Sequence, residues 1–339
     1  MVDEAAVRAH PENFRVLTGD RPTGPLHLGH HFGTLRNRVR LQELGVEMFV
    51  LIADYQVITD RDRAERLGER VEDLLLDQLA AGLDPERVTF FAHSAVPALN
   101  QLVLPFLSLV SVAELGRNPT VKEEIAHSRQ SAVNGLMFTY PVHQAADILF
   151  CKGDLVPVGE DQLPHLELTR VIARRFNERY APGPSSLFPE PAALLSATPR
   201  LAGLDGGKMS KSRGNAIALG DDADTTARLI RAARTDSDRR VTFDPETRPG
   251  VSALLILAAL CEEGDGDPRR IAAEIGDAGA AALKRRVTDA VNGHLAPLRA
   301  RRAELARDRG ALRSLLRAGE ARAREVADAT LEEVRAAMA

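Results

Sequence analysis

Apolar positions recur with two periods along this 339-residue chain, and the change from one to the other divides it. Phe14 to Thr18 is a short β-type run that breaks at Gly19, and Pro22, Gly24 and Pro25 then hold a rigid turn. A helix is predicted to begin near His27-Leu28-Gly29-His30, with Phe32, Leu35 and Val39 at helical spacing until Gly45 ends it. Val46 to Asp54 is almost continuously apolar, as a buried parallel strand requires. Leu67, Val71, Leu74, Leu75 and Leu79 mark an amphipathic helix closed by Gly82, and Val88 to Ala92 reads as a third strand. A helix kinked at Pro105 is predicted over 97–116, with a cap and first turn in Arg117 to Glu124. Tyr140 to Leu149 is an apolar helix, Leu155 to Val158 a short strand, and Pro164 to about Tyr180 a further helix. Beyond Asp221 extended apolar runs disappear, and Ala, Leu and Arg dominate at helical spacing to the last residue.

Alternating strands and helices predict an α/β fold, a Rossmann-like parallel sheet in residues 1–220, followed by an α-helical region in 221–339. Ligands on such sheets bind at the carboxyl ends of the strands, where the Gly19–His30 turn lies. Strand, glycine-proline turn and helix N-terminus together aim backbone N–H groups at an anion, but the spacing fits neither the dinucleotide fingerprint nor the P-loop. His27 and His30, three apart, share one face of the first helical turn. Two readings of that pair are open: the rings cap and pack the turn, or they donate to phosphate oxygens.

Composition narrows the choice. A hydrophobic content of 44% supports a proper core, and no run approaches a membrane span. Residues 1–8 carry no apolar leader core, so a cytoplasmic protein is expected. Cys151 and Cys261 are far apart and lack metal-type spacing, so no metal site is read from them. The net charge of −4 argues against a general polyanion binder. Ten arginines from Pro297 onward read first as a solvated helix face, and RNA contact is the alternative. Lysine is rare: five of the 44 basic residues, two of them within Lys208-Met209-Ser210-Lys211-Ser212. That loop, between Gly206-Gly207 and Gly214, is suited to closing over a polyphosphate, its ammonium groups meeting charge on a leaving pyrophosphate.

With His27-Leu28-Gly29-His30 and Lys208 to Ser212 in one chain, the sequence resembles the class I aminoacyl-tRNA synthetases of the tryptophanyl/tyrosyl subgroup, from about Phe14 to its C-terminus. Gly19 to Gly24, Tyr140-Pro141 with Ala145 to Ile148, and Val156 to Gln162 look like the tryptophanyl members. The resemblance implies that an amino acid carboxylate attacks the α-phosphate of ATP, and that the acyl group then passes to tRNA(Trp). It assigns catalysis to His27, His30, Lys208 and Lys211, and ATP to Arg21, Pro22, Thr23, Gly29, His30, Gly159, Glu160, Asp161 and the whole of Lys208, Met209, Ser210, Lys211 and Ser212. Leu201 would lie against adenine, and Mg²⁺ would be held mainly by phosphates. Asp147 would accept the indole N–H of L-tryptophan, with Tyr140, Gln144, Gln56 and Gln162 beside the amino acid. A homodimer, with the helical region reading the anticodon, is implied by the same resemblance.

The chain departs from that pattern at Gln144, where many bacterial tryptophanyl enzymes have methionine, and at Tyr55-Gln56, where a Gln-His pair is common. Gln144 to Asp147 also resembles a motif of tyrosyl enzymes. Those enzymes tend to carry a Tyr two residues before the first glycine, where this chain has the apolar Leu17. Tryptophan is therefore the expected substrate, with a tyrosyl enzyme or a divergent, specialised second copy as alternatives.

Overall fold

The computed structural model of the chain describes residues 4–59, 66–127, 133–183, 186–195, 201–207, 209, 214–262, 264 and 266–339. In chain order its strands are β1 (Arg15–Asp20), β2 (Glu47–Ile52), β3 (Val88–Ala92), β4 (Leu155–Val158) and β5 (Ala192–Leu195). Helix α1 (Glu4–Ala9) precedes β1. After β1, α2 (Leu28–His30) runs through a π-turn, His31–Leu35, into α3 (Arg36–Leu44), and α4 (Leu67–Ala80) joins β2 to β3. Five helices separate β3 from β4: α5 (Pro97–Gln101), α6 (Val103–Leu107), α7 (Val112–Arg117), α8 (Pro119–His127) and α9 (Gly135–Leu149). Helix α10 (Leu163–Tyr180) joins β4 to β5. The remainder is helical: α11 (Ala223–Ala232), α12 (Pro249–Cys261), α13 (Pro268–Ile275), α14 (Gly279–Leu305) and α15 (Arg309–Met338).

Among the described residues the strands form one five-stranded parallel sheet in the order β3-β2-β1-β4-β5. This is the α/β sheet with a helical C-terminal region that the apolar pattern predicts. Neighbouring residues point to opposite faces, so Val16, Val50 and Phe90 enter one buried cluster while Leu17, Leu51 and Phe91 enter the other. Burial on both faces is why the strands read as continuous apolar runs. The chain steps outward from β1 to β2 and β3, then returns to the other side of β1 with β4. The crevice this reversal opens, outside the carboxyl ends of β1 and β4, is where open α/β sheets hold ligands.

Three local expectations change. Strand β1 does not break at Gly19 but runs to Asp20, with Gly19 opposite Leu51. A Cβ at Gly19 would sit 2.5 Å from the Leu51 carbonyl oxygen, so this glycine serves close strand packing and not a turn. The predicted helix over 97–116 is three short helices, because Ser111 caps a fresh start: its hydroxyl accepts from the Glu114 N–H while Glu114 reaches back to the Ser111 N–H at 2.8 Å. Strand β5, directly after Pro191, reads Ala192-Ala193-Leu194-Leu195 and lacks the β-branched residues that mark β4, so it goes unpredicted.

The helical half shares its core with the sheet. Leu255, Leu283 and Leu295 belong to the cluster under Val16 and Phe32, and Ala323 and Leu331 to the one under Phe91. Helix α15 covers the edge strand β3 so closely that a Cβ at Gly319 would meet the Phe90 carbonyl oxygen at 2.1 Å. Helix α14 braces the turn after β1. Arg302 donates to buried Asp77 (2.7 Å), whose other oxygen accepts the Leu26 N–H (3.0 Å). His31 and His294 meet through their Nε2 atoms at 2.9 Å.

Candidate active site

The turn after β1 is fixed by its own histidines. His27 is the N-cap of α2, its Nδ1 accepting the Gly29 N–H at 3.1 Å, and His30 Nδ1 accepts the His27 N–H at 3.2 Å. The ring centroids lie 3.9 Å apart. A ring whose Nδ1 accepts carries its proton on Nε2, so capping the helix sets both imidazoles as Nε2–H donors. The capping reading of the pair is the one this geometry displays, and both residues also line a cavity. A Cβ at Gly29 would meet His27 Cε1 at 2.9 Å and Met209 Sδ at 3.2 Å, so no side chain fits there.

Of the lysine-containing segment, Met209 is the described residue, and it reaches this turn. The stem of the loop is hydrogen-bonded to it: Leu28 N–H donates to the Ile217 carbonyl (3.0 Å) and Leu219 N–H to that of Leu26 (2.9 Å). Asp205 Oδ1 closes the base by accepting the Gly207 N–H (3.0 Å) and the Asn215 amide (2.7 Å). Gly206 (φ +80°) and Gly214 (φ +65°) supply the left-handed backbone that reverses the chain on either side. His27, Gly29, His30, Asn37, Gly159, Asp161, Leu201 and Met209 line one cavity. Lys208, Ser210, Lys211 and Ser212 lie outside the described residues.

A second cavity adjoins the first, with Thr18, Thr34, Arg38, Pro157 to Gly159 and Gln162 as the common wall. Arg38 is 2% exposed and organises that wall: it donates to Thr18 Oγ1 (2.9 Å), to the Gly19 carbonyl (3.1 Å) and to the Asp20 carboxylate. Gln78 also donates to Asp20, at 3.1 Å. Burial works against the Asp20 charge, but Arg38, with His30 and Gln78, outweighs it, and the carboxyl titrates below its ordinary range.

Leu17, Arg21, Gln56, Tyr140, Gln144 and Asp147 belong to the second cavity. Its polar groups are held from behind. Asn118 Oδ1 caps α8 by accepting the Thr120 N–H (3.0 Å), so its amide must donate to His165 Nδ1 (3.3 Å). His165 then gives its Nε2–H to the Tyr140 oxygen at 2.8 Å, and burial pushes its pKa down to about 4. Gln56 accepts from Thr59 (3.1 Å) and donates to His143 Nδ1 (3.0 Å), while His143 Nε2 donates to Asn100 (2.9 Å). Burial holds His143 below the usual histidine range. Asp147 Oδ1 accepts from His93 Nε2 at 2.8 Å.

His93, His143 and Asp147 are the one set with metal-ligand spacing among the described residues. His93 Nε2 is engaged by Asp147 Oδ1 and both His143 nitrogens by Gln56 and Asn100, so the three are joined here in a hydrogen-bonded network.

The structure therefore brings most of the sequence-derived candidates to two adjoining cavities. Pro22, Thr23 and Glu160 are not among the residues lining either one. Sequence reasoning missed Asp20, Asn37, Arg38, His93 and His143. His93 follows β3 directly, and its position at the carboxyl end of a strand was the available signal. His143 stands one helical turn before Asp147, a spacing that puts the two on one face.

The chain matches the family model of class I tRNA synthetases (W and Y) over residues 10–296. It is 43% identical over 335 residues to a tryptophan–tRNA ligase of Streptococcus pyogenes, covering 95% of this chain and 97% of that one. A tryptophan–tRNA ligase of Lactococcus lactis is 42% identical over the same coverage. The fold is similar to tryptophanyl-tRNA synthetase from Campylobacter jejuni, solved with ADP and tryptophan, with a TM-score of 0.82 and 29% identity over 94% of this chain and 98% of that one.

Proposed function

Since the chain belongs to the class I tRNA synthetases of the tryptophan and tyrosine group, we propose that it is a tryptophan–tRNA ligase. It activates L-tryptophan with ATP and passes the acyl group to tRNA(Trp). The observation that carries the reading is the joining of two cavities at one wall: Asp147 and Leu17 line one, and the His27–His30 turn lines the other. Asp147 accepts the indole N–H, and apolar Leu17 offers a phenol hydroxyl no partner. The tryptophan carboxylate attacks the α-phosphorus, an oxygen–phosphorus bond forms, and the bond to the departing pyrophosphate breaks. A terminal ribose hydroxyl of tRNA next attacks the acyl carbon, and AMP leaves.

His27 and His30 donate Nε2–H to phosphate oxygens, and Gly29 lets the nucleotide approach the backbone. Gly159, Asp161, Leu201 and Met209 complete the ATP side; Arg21, which lines the adjoining cavity, Pro22, Thr23 and Glu160, which line neither, and Lys208, Ser210, Lys211 and Ser212 are assigned to ATP by family resemblance. Tyr140, Gln144, Gln56 and Gln162 surround the amino acid. Mg²⁺, when bound, would neutralise phosphate charge, with phosphate oxygens as its main ligands; of the one donor cluster with metal spacing among the described residues, only Asp147 lines a cavity. Positioning and charge stabilisation carry the chemistry. Residues 1–220 form the catalytic domain and 221–339 the anticodon-reading domain of a cytoplasmic homodimer. No helix among the described residues is long and apolar enough to cross a membrane.

ATP–pyrophosphate exchange with the purified protein tests the reading. Exchange is expected with tryptophan and not with tyrosine, and the reverse would overturn it. Lys211→Ala is expected to slow exchange by roughly 10²-fold or more while tryptophan binding changes by less than about threefold. Charging of tRNA(Trp) in vitro separates this enzyme from a specialised copy, which would activate without transfer.

A further inference from the structure

His93 is fully buried at the end of β3 and lines neither cavity, yet it makes the one hydrogen bond to Asp147 among the described residues. Asp147 is 3% exposed, and only Oδ1 is engaged; Oδ2 bonds to no described residue while the carboxylate lines the amino-acid cavity. A carboxylate so far from water is costly to bury unless something donates to it. Without that donor the carboxylate could turn about its Cβ–Cγ bond, and neither oxygen would be fixed toward the cavity.

His93 is held for this task from three sides. Its ring stacks between Tyr55 (centroids 6.1 Å) and His143 (4.4 Å). The Asn100 amide donates to its backbone carbonyl at 3.0 Å, and Asp54 Oδ1 accepts the next N–H, that of Ser94, at 3.2 Å. Its Nδ1 has no hydrogen-bond partner and stands 3.9 Å from Asp54 Oδ1, so the Nε2 edge makes the ring's single strong contact.

We infer that His93 is a positioning residue for substrate choice: by donating Nε2–H to Oδ1 it fixes the Asp147 carboxylate and leaves Oδ2 to accept the heteroaromatic N–H of the amino acid. The inference rests on the tryptophan reading above and adds the group that makes Asp147 selective. A role in packing alone would weaken every amino acid equally. A role through Asp147 acts only on ligands that carry the N–H.

The test measures kcat/KM in ATP–pyrophosphate exchange for tryptophan and for its benzothienyl analogue, in which sulfur replaces the ring N–H. The wild type is expected to prefer tryptophan by on the order of 10²-fold or more. His93→Phe keeps the stack and removes the donor, and that preference should collapse to within about tenfold, chiefly through loss on tryptophan. His93→Gln restores a donor and should restore the preference. If His93→Phe does not fold, His93→Leu takes its place, since the ratio is read within each variant. An unchanged ratio in the donor-free variant, or equal collapse in the glutamine variant, overturns the inference while leaving the tryptophan reading standing. Failure of the wild type to use tryptophan overturns that reading instead.

Discussion

The two cavities that meet at Arg38 are built by different means. The side we assign to the nucleotide is held chiefly through the main chain: His27 and His30 bond to backbone groups two and three residues away, and the loop stem, distant in sequence, is tied to Leu26 and Leu28 through main-chain atoms. The amino-acid side is assembled from distant segments, with His93 joined to Asp147 across 54 positions and Gln56 to His143 across 87. Main-chain geometry suits a ligand whose charge is the same for every substrate, whereas a side-chain network suits the part that must distinguish one amino acid from another. Damage to one cavity should therefore leave the other's ligand nearly untouched.

The largest separation is expected from Asp147→Ala. It removes the acceptor and leaves His93 without its partner, so kcat/KM for tryptophan should fall by roughly 10³-fold or more while the KM for ATP stays within about threefold. Arg38→Met attacks the common wall and should break the comparison. The substitution leaves the Asp20 carboxylate, itself little exposed, without its counter-charge, and unfolding by urea should show a loss of about 3–5 kcal/mol. Gly29→Ala strikes the nucleotide side alone. A methyl group there must push His27 or Met209 aside, and a misplaced phosphate donor costs roughly 10²-fold in kcat, read in pyrophosphate exchange at saturating tryptophan.

The smallest effect concerns the brace between α14 and the nucleotide turn. Burial, with the neighbouring charges of His294 and Arg36, holds His31 down to about 4 from an ordinary 6.5. An unfolded chain takes up that proton near pH 6.5 and the folded one only near pH 4, so stability falls as pH drops through this window. Between pH 7 and 5 the wild type should lose about 1–2 kcal/mol more than His31→Leu, measured by urea unfolding at the two pH values.

What the sequence disclosed follows the same division. Strands β1 to β4, the helix ended by Gly45 (φ +87°) and the capping turn at His27 all follow from local period and turn chemistry. Gly19 misled because a glycine required by the Leu51 carbonyl beside it looks in sequence like one required by a turn. Arg38 stayed hidden because a helical arginine reads as solvated until Thr18 and Asp20 are seen beside it. His93 stayed hidden because its partner is set by the approach of β3 to α9, a tertiary fact without local trace. Asp147 was readable by resemblance, but the group that donates to it was not.

The most direct test of the division is tryptophan binding itself. The chain contains no tryptophan, so the bound amino acid can be followed by its own fluorescence, excited at a wavelength that the three tyrosines do not absorb. Titrations of wild type, Gly29→Ala and Asp147→Ala without ATP should give equal affinity, within about threefold, for the first two and a loss of roughly 10²-fold or more for the third. Equal loss in both variants, or full affinity in Asp147→Ala, would contradict the account.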